Sequence, residues 1–276
     1  MIKKYNQYLK ENKHLDIDPY GEEDWDDDDF SPILQIARKT GLPYDQITAL
    51  DCYLENLTNL DGIENLINLR ELYCENNQLT SLEGIENLTN LTYLGCSGNQ
   101  LTSLSGIENL INLRTLDFQS NQLTNLDGIE KLINLKQLFC GNNQLTSLEG
   151  IENLTDLKML SFTRNQIRSL YGIEKLTNLE MLYCGNNQLT NLDGIENLTN
   201  IKQLYCQDNQ LTSLIGIENL INLRLLYCRA NQLTNLDGIE KLINLKQLYY
   251  SNNQFSPKYI EYLKEYCKKK KIALDK

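Results

Sequence analysis

Leu69–Asn90 reads LRELYCENNQLTSLEGIENLTN, and this stretch returns every 22 residues along the chain. The period is plainest at one residue type. Asn77, Asn99, Asn121, Asn143, Asn165, Asn187, Asn209, Asn231 and Asn253 all keep it. Around Asn77, Leu72 and Cys74 alternate with Glu71, Tyr73 and Glu75. That is the period-two pattern of a short strand with one buried face. The apolar spacing then lengthens to three at Leu79, Leu82, Ile85 and Leu88. This spacing predicts a turn followed by a loose, 3₁₀-like return.

One such coil is too small to fold alone. Ordering a residue costs about 1.5 kcal/mol, and seven buried apolar side chains do not offset that over a whole coil. Stacking pairs each strand with the next and merges the apolar clusters into one core. The asparagines are predicted to form a structural ladder, because an amide can satisfy turn backbone groups that no strand reaches. Gly62, Gly84 and Gly106 precede the isoleucine of their coils, a placement that predicts close backbone approach or a special dihedral. No proline lies between Pro43 and Pro257, as an unbroken parallel ladder requires.

The pattern L-x-x-L-x-C-x-x-N-x-L-x-x-L-x-G-I-x-x-L resembles the leucine-rich repeat, with cysteine in place of the third leucine. Its length and its G-I-x-x-L half look most like the 22-residue subclass of bacterial internalins and of the leucine-rich regulatory subunit of type-one phosphatases. The abundance of Asn, Ile, Lys and Tyr and the near-identical copies also resemble repeat arrays of low-GC bacteria and of giant viruses. The resemblance implies an α/β solenoid: a right-handed, curved horseshoe of about ten coils. It would have a parallel concave sheet, convex loops and 3₁₀ turns, and a helical cap at each end.

Four regions are expected: an acidic extension over 1–30, a helical N-terminal cap over 31–46, the array over 47–255 and a helical C-terminal cap over 256–276. In the extension, Ile2, Tyr5, Tyr8 and Leu9 have helical spacing. Asp16, Asp18 and Gly21 echo the start of a calcium loop, but Tyr20 and Asp27 break the ligand pattern. A solvated acidic segment is expected there, or a docking peptide anchored by Trp25 and Phe30. Ser31 followed by Pro32 is a helix start, and so is Ser256 with Pro257. Each cap would cover an open apolar end and an open strand edge.

The formal net charge is −11, which opposes general nucleic-acid affinity. No apolar run is long enough to span a bilayer. The opening MIKKYNQYLKENKHLD lacks an apolar signal core, so a cytoplasmic location is expected, in a host cytoplasm if the protein is viral or an effector. Seven of the eight cysteines (Cys52, Cys74, Cys96, Cys140, Cys184, Cys206 and Cys228) share one repeat position, which Phe118, Phe162 and Tyr250 fill elsewhere. A site that accepts either cysteine or phenylalanine is a core site, so buried thiols are expected in a reducing compartment. No histidine lies in the array, and neither a phosphate-cradling glycine loop nor metal-ligand spacing appears. No enzyme activity, cofactor or metal is expected.

Binding is expected on the strand positions that point outward. That column contains Tyr73, Phe139, Tyr183, Tyr205, Tyr227 and Tyr249, and a neighbouring one adds Met159, Met181 and Leu225. An exposed aromatic and thioether strip suggests a protein partner. The alternatives are that the tyrosines only pack the sheet, or that duplication copied them. Beside them run Arg70, Arg114, Lys136, Lys158, Lys202, Arg224 and Lys246, suited to an acidic segment of a partner or of this chain. Glu64 and its copies are expected to be a solubilising face. The expected function is a monomeric, non-catalytic protein–protein interaction scaffold. The alternatives are a regulatory subunit or effector that modulates a bound enzyme such as a phosphatase and, with less support, nucleic-acid binding or surface adhesion.

Overall fold

A computed structural model describes residues 31–274. The expected helix, calcium-loop echo and docking peptide of 1–30 lie outside the described residues. Ten three-residue strands follow one another at the repeat period: β1 (Ala49–Asp51), β2 (Glu71–Tyr73), β3 (Tyr93–Gly95), β4 (Thr115–Asp117), β5 (Gln137–Phe139), β6 (Met159–Ser161), β7 (Met181–Tyr183), β8 (Gln203–Tyr205), β9 (Leu225–Tyr227) and β10 (Gln247–Tyr249). They pair in parallel and in chain order, each residue against its copy 22 positions on, so that Leu50 faces Leu72 and Leu182 faces Leu204. The middle residue of each strand points inward and is buried. One continuous apolar core runs from Ile33 to Ile272.

Each coil closes the same way. Ile63–Asn65, Ile195–Asn197, Ile217–Asn219 and Ile239–Lys241 are 3₁₀ turns, the return predicted from the spacing of three. The glycine before each isoleucine has positive φ, from 91° to 103°, which an L side chain rarely adopts. At Gly84 an added Cβ would also meet Ile63 Cγ2 at 2.9 Å. The glutamates of this segment are more than a solubilising face. In eight coils, from Glu64 to Glu218, the carboxylate accepts from the N–H of that glycine at 2.8–3.1 Å.

The asparagine ladder forms, through backbone rather than from amide to amide. Asn121 Oδ1 accepts from Leu101 N–H at 2.9 Å, and its Nδ2 donates to Cys96 O and Phe118 O at 3.0 Å and to Gln119 O at 3.2 Å. The same bonds recur from Asn77 to Asn253 and tie each coil to the one before. The residue preceding each ladder asparagine has φ between 50° and 68°, whether it is Asn76, Gly98, Ser120, Arg164, Asp208 or Ala230. A second ladder stands on the strand-entry edge. The Nδ2 of Asn68, Asn90, Asn112, Asn134, Asn178, Asn200, Asn222 and Asn244 donates to a carbonyl 23 residues earlier, at 2.7–3.2 Å. Asp156 takes this position in one coil.

Both ends are capped. Helix α1 (Pro32–Arg38) starts at Ser31, whose Oγ accepts from Leu34 N–H at 3.2 Å, and it buries Ile33, Ile36 and Ala37. Helix α2 (Pro257–Lys270) starts at Ser256 in the same manner and buries Leu263 and Cys267. Beyond Lys270 the C-terminal cap adds a strand to its helix. Lys271 adopts φ 57°, Ile272 buries its side chain, and Ala273–Leu274 pairs with β10 as β11. A helix alone would leave the N–H and C=O groups of β10 unpaired, and the returning tail satisfies them.

Candidate interaction face and its flanking groove

The outward strand positions divide into two chemically different halves. Over β7 to β10 the tyrosines stack. Tyr183 and Tyr205 have ring centroids 4.6 Å apart and planes 13° apart. Tyr205 to Tyr227 is 5.9 Å, and Tyr227 to Tyr249 is 4.9 Å. The rings are half-buried rather than fully exposed, because each covers its neighbour. Met159, Met181 and Leu225 flank them, also half-buried. The Tyr183 hydroxyl lies 3.7 Å from Met181 Sδ, and the Tyr205 hydroxyl donates to Gln203 Oε1 at 3.4 Å. Burial pushes the Tyr205 phenol above its ordinary pKa.

The first half is acidic. Gly95 leaves a gap in the outward column, and two side chains from elsewhere close over it. Tyr93 packs on Tyr73 at 4.6 Å with the ring planes tilted by 32°, and the Glu75 carboxylate occupies the space where a Cβ at Gly95 would stand. Tyr93 donates to Glu75 Oε1 at 3.2 Å, and Tyr73 donates to Glu71 Oε2 at 2.9 Å. Burial, then the Glu71 hydrogen bond, pushes the Tyr73 phenol up to about 12. Burial also raises the carboxyls of Glu75 and Asp117. Asp117 Oδ1 accepts from Gln119 N–H at 3.0 Å, which offsets part of that rise. Phe139 stands between Asp117 and the buried Ser161, where the two halves meet.

The basic column is not uniform. Its position is held by Thr92 in one coil and Glu180 in another. Lys202 Nζ pairs with Glu180 Oε2 at 2.5 Å, and this bond holds the Glu180 carboxyl below its ordinary pKa. In the first half, Arg70, Arg114 and Lys136 line an open groove of about 310 Å³ with Thr92, Asn90, Asn112, Asn134 and Asp156. Among the described residues only Lys136 has an acidic partner there, Asp156 at 3.9 Å. The cations are legible in the sequence and the groove is not, although the asparagines that form its wall recur at the same visible period.

All eight cysteines are buried. Burial raises the thiols of Cys52 and Cys206 to about 12, and Cys74 donates to Gly95 O at 3.2 Å. The column is core. Among the described residues no group of side chains is arranged to hold a metal ion, and no helix is long and apolar enough to cross a membrane.

A family profile described as leucine-rich repeats in two copies matches residues 67–110, 89–131, 111–153, 133–175 and 177–220, together more than half of the chain. The chain belongs to the leucine-rich repeat family. A leucine-rich repeat protein of Leptospira interrogans is similar at 33% identity and a TM-score of 0.77, over 80% of this chain and 58% of that one. This chain therefore spans less than two thirds of that protein. Internalin C2 of Listeria monocytogenes is 32% identical with a TM-score of 0.65, over 69% of this chain and 82% of that one. The functional domain of InlJ from the same organism, described as including a cysteine ladder, is 30% identical with a TM-score of 0.63, over 77% of this chain and 50% of that one. No match was found among curated proteins. Leucine-rich repeat proteins of the internalin type are generally protein-interaction scaffolds.

Proposed function

We propose that this leucine-rich repeat protein is a non-catalytic scaffold that binds a protein partner on its concave sheet, centred on Tyr183, Tyr205, Tyr227 and Tyr249. The ring stack carries the reading. Four neighbouring aromatic side chains hold one another at 4.6–5.9 Å, so little rotamer freedom remains to be lost on binding. Tyrosine offers apolar area and a hydroxyl together, the combination enriched where proteins meet. Met159, Met181 and Leu225 extend the patch with adaptable apolar surface.

The test separates recognition from packing. Tyr205→Ala combined with Tyr227→Ala is expected to lose the partner that the wild-type chain captures, with a small change in thermal midpoint. A sharp fall in stability with capture intact would assign the rings to sheet packing alone.

A further inference from the structure

The groove lined by Arg70, Arg114 and Lys136 lies on the strand-entry edge of the first half, away from the tyrosine stack. We propose that it binds an extended, carboxylate-rich peptide segment of a partner, laid along the axis of the array. This does not rest on the tyrosine reading.

Three observations carry it. The first is charge. In a chain of net charge −11, three cations line one depression. Among the described residues neither Arg70 nor Arg114 makes an ion pair. The adjacent Glu71 instead accepts from Tyr73. Neighbouring cations repel one another, and an incoming anion relieves that repulsion at Arg70 and Arg114.

The second is spacing. Arg70 and Arg114 are two coils apart, with Thr92 between them, which is about 10 Å at the strand separation of a sheet. Carboxylates three residues apart in a polyproline II chain share one side and lie about 9 Å apart. Each guanidinium can take one carboxylate in a two-pronged bond, whereas Lys136, only one coil further, falls short of the next carboxylate and is paired with Asp156.

The third is how the groove ends. The second asparagine ladder runs through Asn90, Asn112 and Asn134 and is broken by Asp156, which pairs with Lys136. Beyond it, Glu180 neutralises Lys202. The anion site therefore stops where acids enter the edge, and its length suits a short segment.

The probe is a short synthetic peptide with aspartate at every third residue, beside its asparagine counterpart, titrated against the full chain at low salt. The aspartate peptide is expected to bind and the asparagine peptide not. Arg114→Gln is expected to weaken binding about tenfold, and Asp156→Asn, which frees Lys136 and restores the ladder amide, to tighten it about threefold. Tyr205→Ala with Tyr227→Ala is expected to bind as wild type; loss there would move the peptide to the tyrosines and overturn the proposal. Equal binding of both peptides, no effect of Arg114→Gln, or tighter binding of a single-stranded oligonucleotide would overturn it too. So would peptide binding that appears only after Asp26–Asp29 are changed to asparagine, since the groove would then belong to the chain's own acidic segment.

Discussion

Asn121 does four jobs with one amide. It is 8% exposed, and its bonds reach its own turn and the coil before it. Alanine would remove the acceptor for the Leu101 N–H, while Cys96 O, Phe118 O and Gln119 O each keep a second donor, from Asn99 Nδ2, Asn143 Nδ2 and Gly98 N–H. A buried donor left unsatisfied costs about 1–3 kcal/mol. Asn121→Ala is therefore expected to lower unfolding free energy by about 3 kcal/mol, read from the urea midpoint at constant slope. An unchanged midpoint would mean that the ladder contributes nothing net. The residue before it has left-handed backbone in every coil, whatever its side chain. The turn geometry overrides local preference there, and Ala230 and Arg164 accept a strained conformation because the ladder beside them requires it.

The clearest element is the C-terminal cap. Helix α2 and β11 act as one unit: Leu263, Cys267 and Ile272 enter the core, and β11 closes the sheet edge. An aromatic run from Tyr250 through Phe255, Tyr259 and Tyr262 to Tyr266 covers the last coil, with centroids 5.6–6.2 Å apart. Tyr259 Oη accepts from Leu236 N–H at 2.7 Å, and Tyr262 donates to Glu240 at 3.0 Å. Leu263→Ala empties the centre of this contact and is expected to cost about 3 kcal/mol. Because stability in an array is shared between neighbours, amide exchange should quicken first in β10 and β11. Uniform quickening across all strands would show instead that the cap is not a separate unit.

At the scale of the molecule, one core shared by ten coils makes the cysteine column a reporter. Every thiol is buried, and burial raises the pKa of Cys267 to about 11 and of Cys52 to about 12. The thiolate is the reactive species, so both access and ionisation protect these side chains. Native protein at neutral pH is expected to react with none of its eight thiols on the timescale of a standard thiol reagent, and denatured protein with all of them. Partial reaction would locate the coils that open first. Fast reaction of all eight in the native state would contradict the burial on which the core depends.

The coil was legible in the chain alone: its length, the inward residues of each strand, the glycine turns, the asparagine ladder, the core role of the cysteines and the family. These follow from period-two and period-three apolar spacing repeated without a break, and one coil's pattern constrains all the others. The sequence also carried the second asparagine ladder in plain periodicity, although a lone polar column on an exposed edge does not announce a backbone partner 23 residues away. What lies between coils on the surface emerged from the packing of one coil on the next. Tyr93 leans across Gly95 onto Tyr73, Glu180 removes Lys202 from the basic column, Arg70 and Arg114 are left facing an open groove, and the last residues return as β11. An outward side chain takes its place from the space that the coil above and the coil below leave free, and that space is set by stacking rather than by any one repeat.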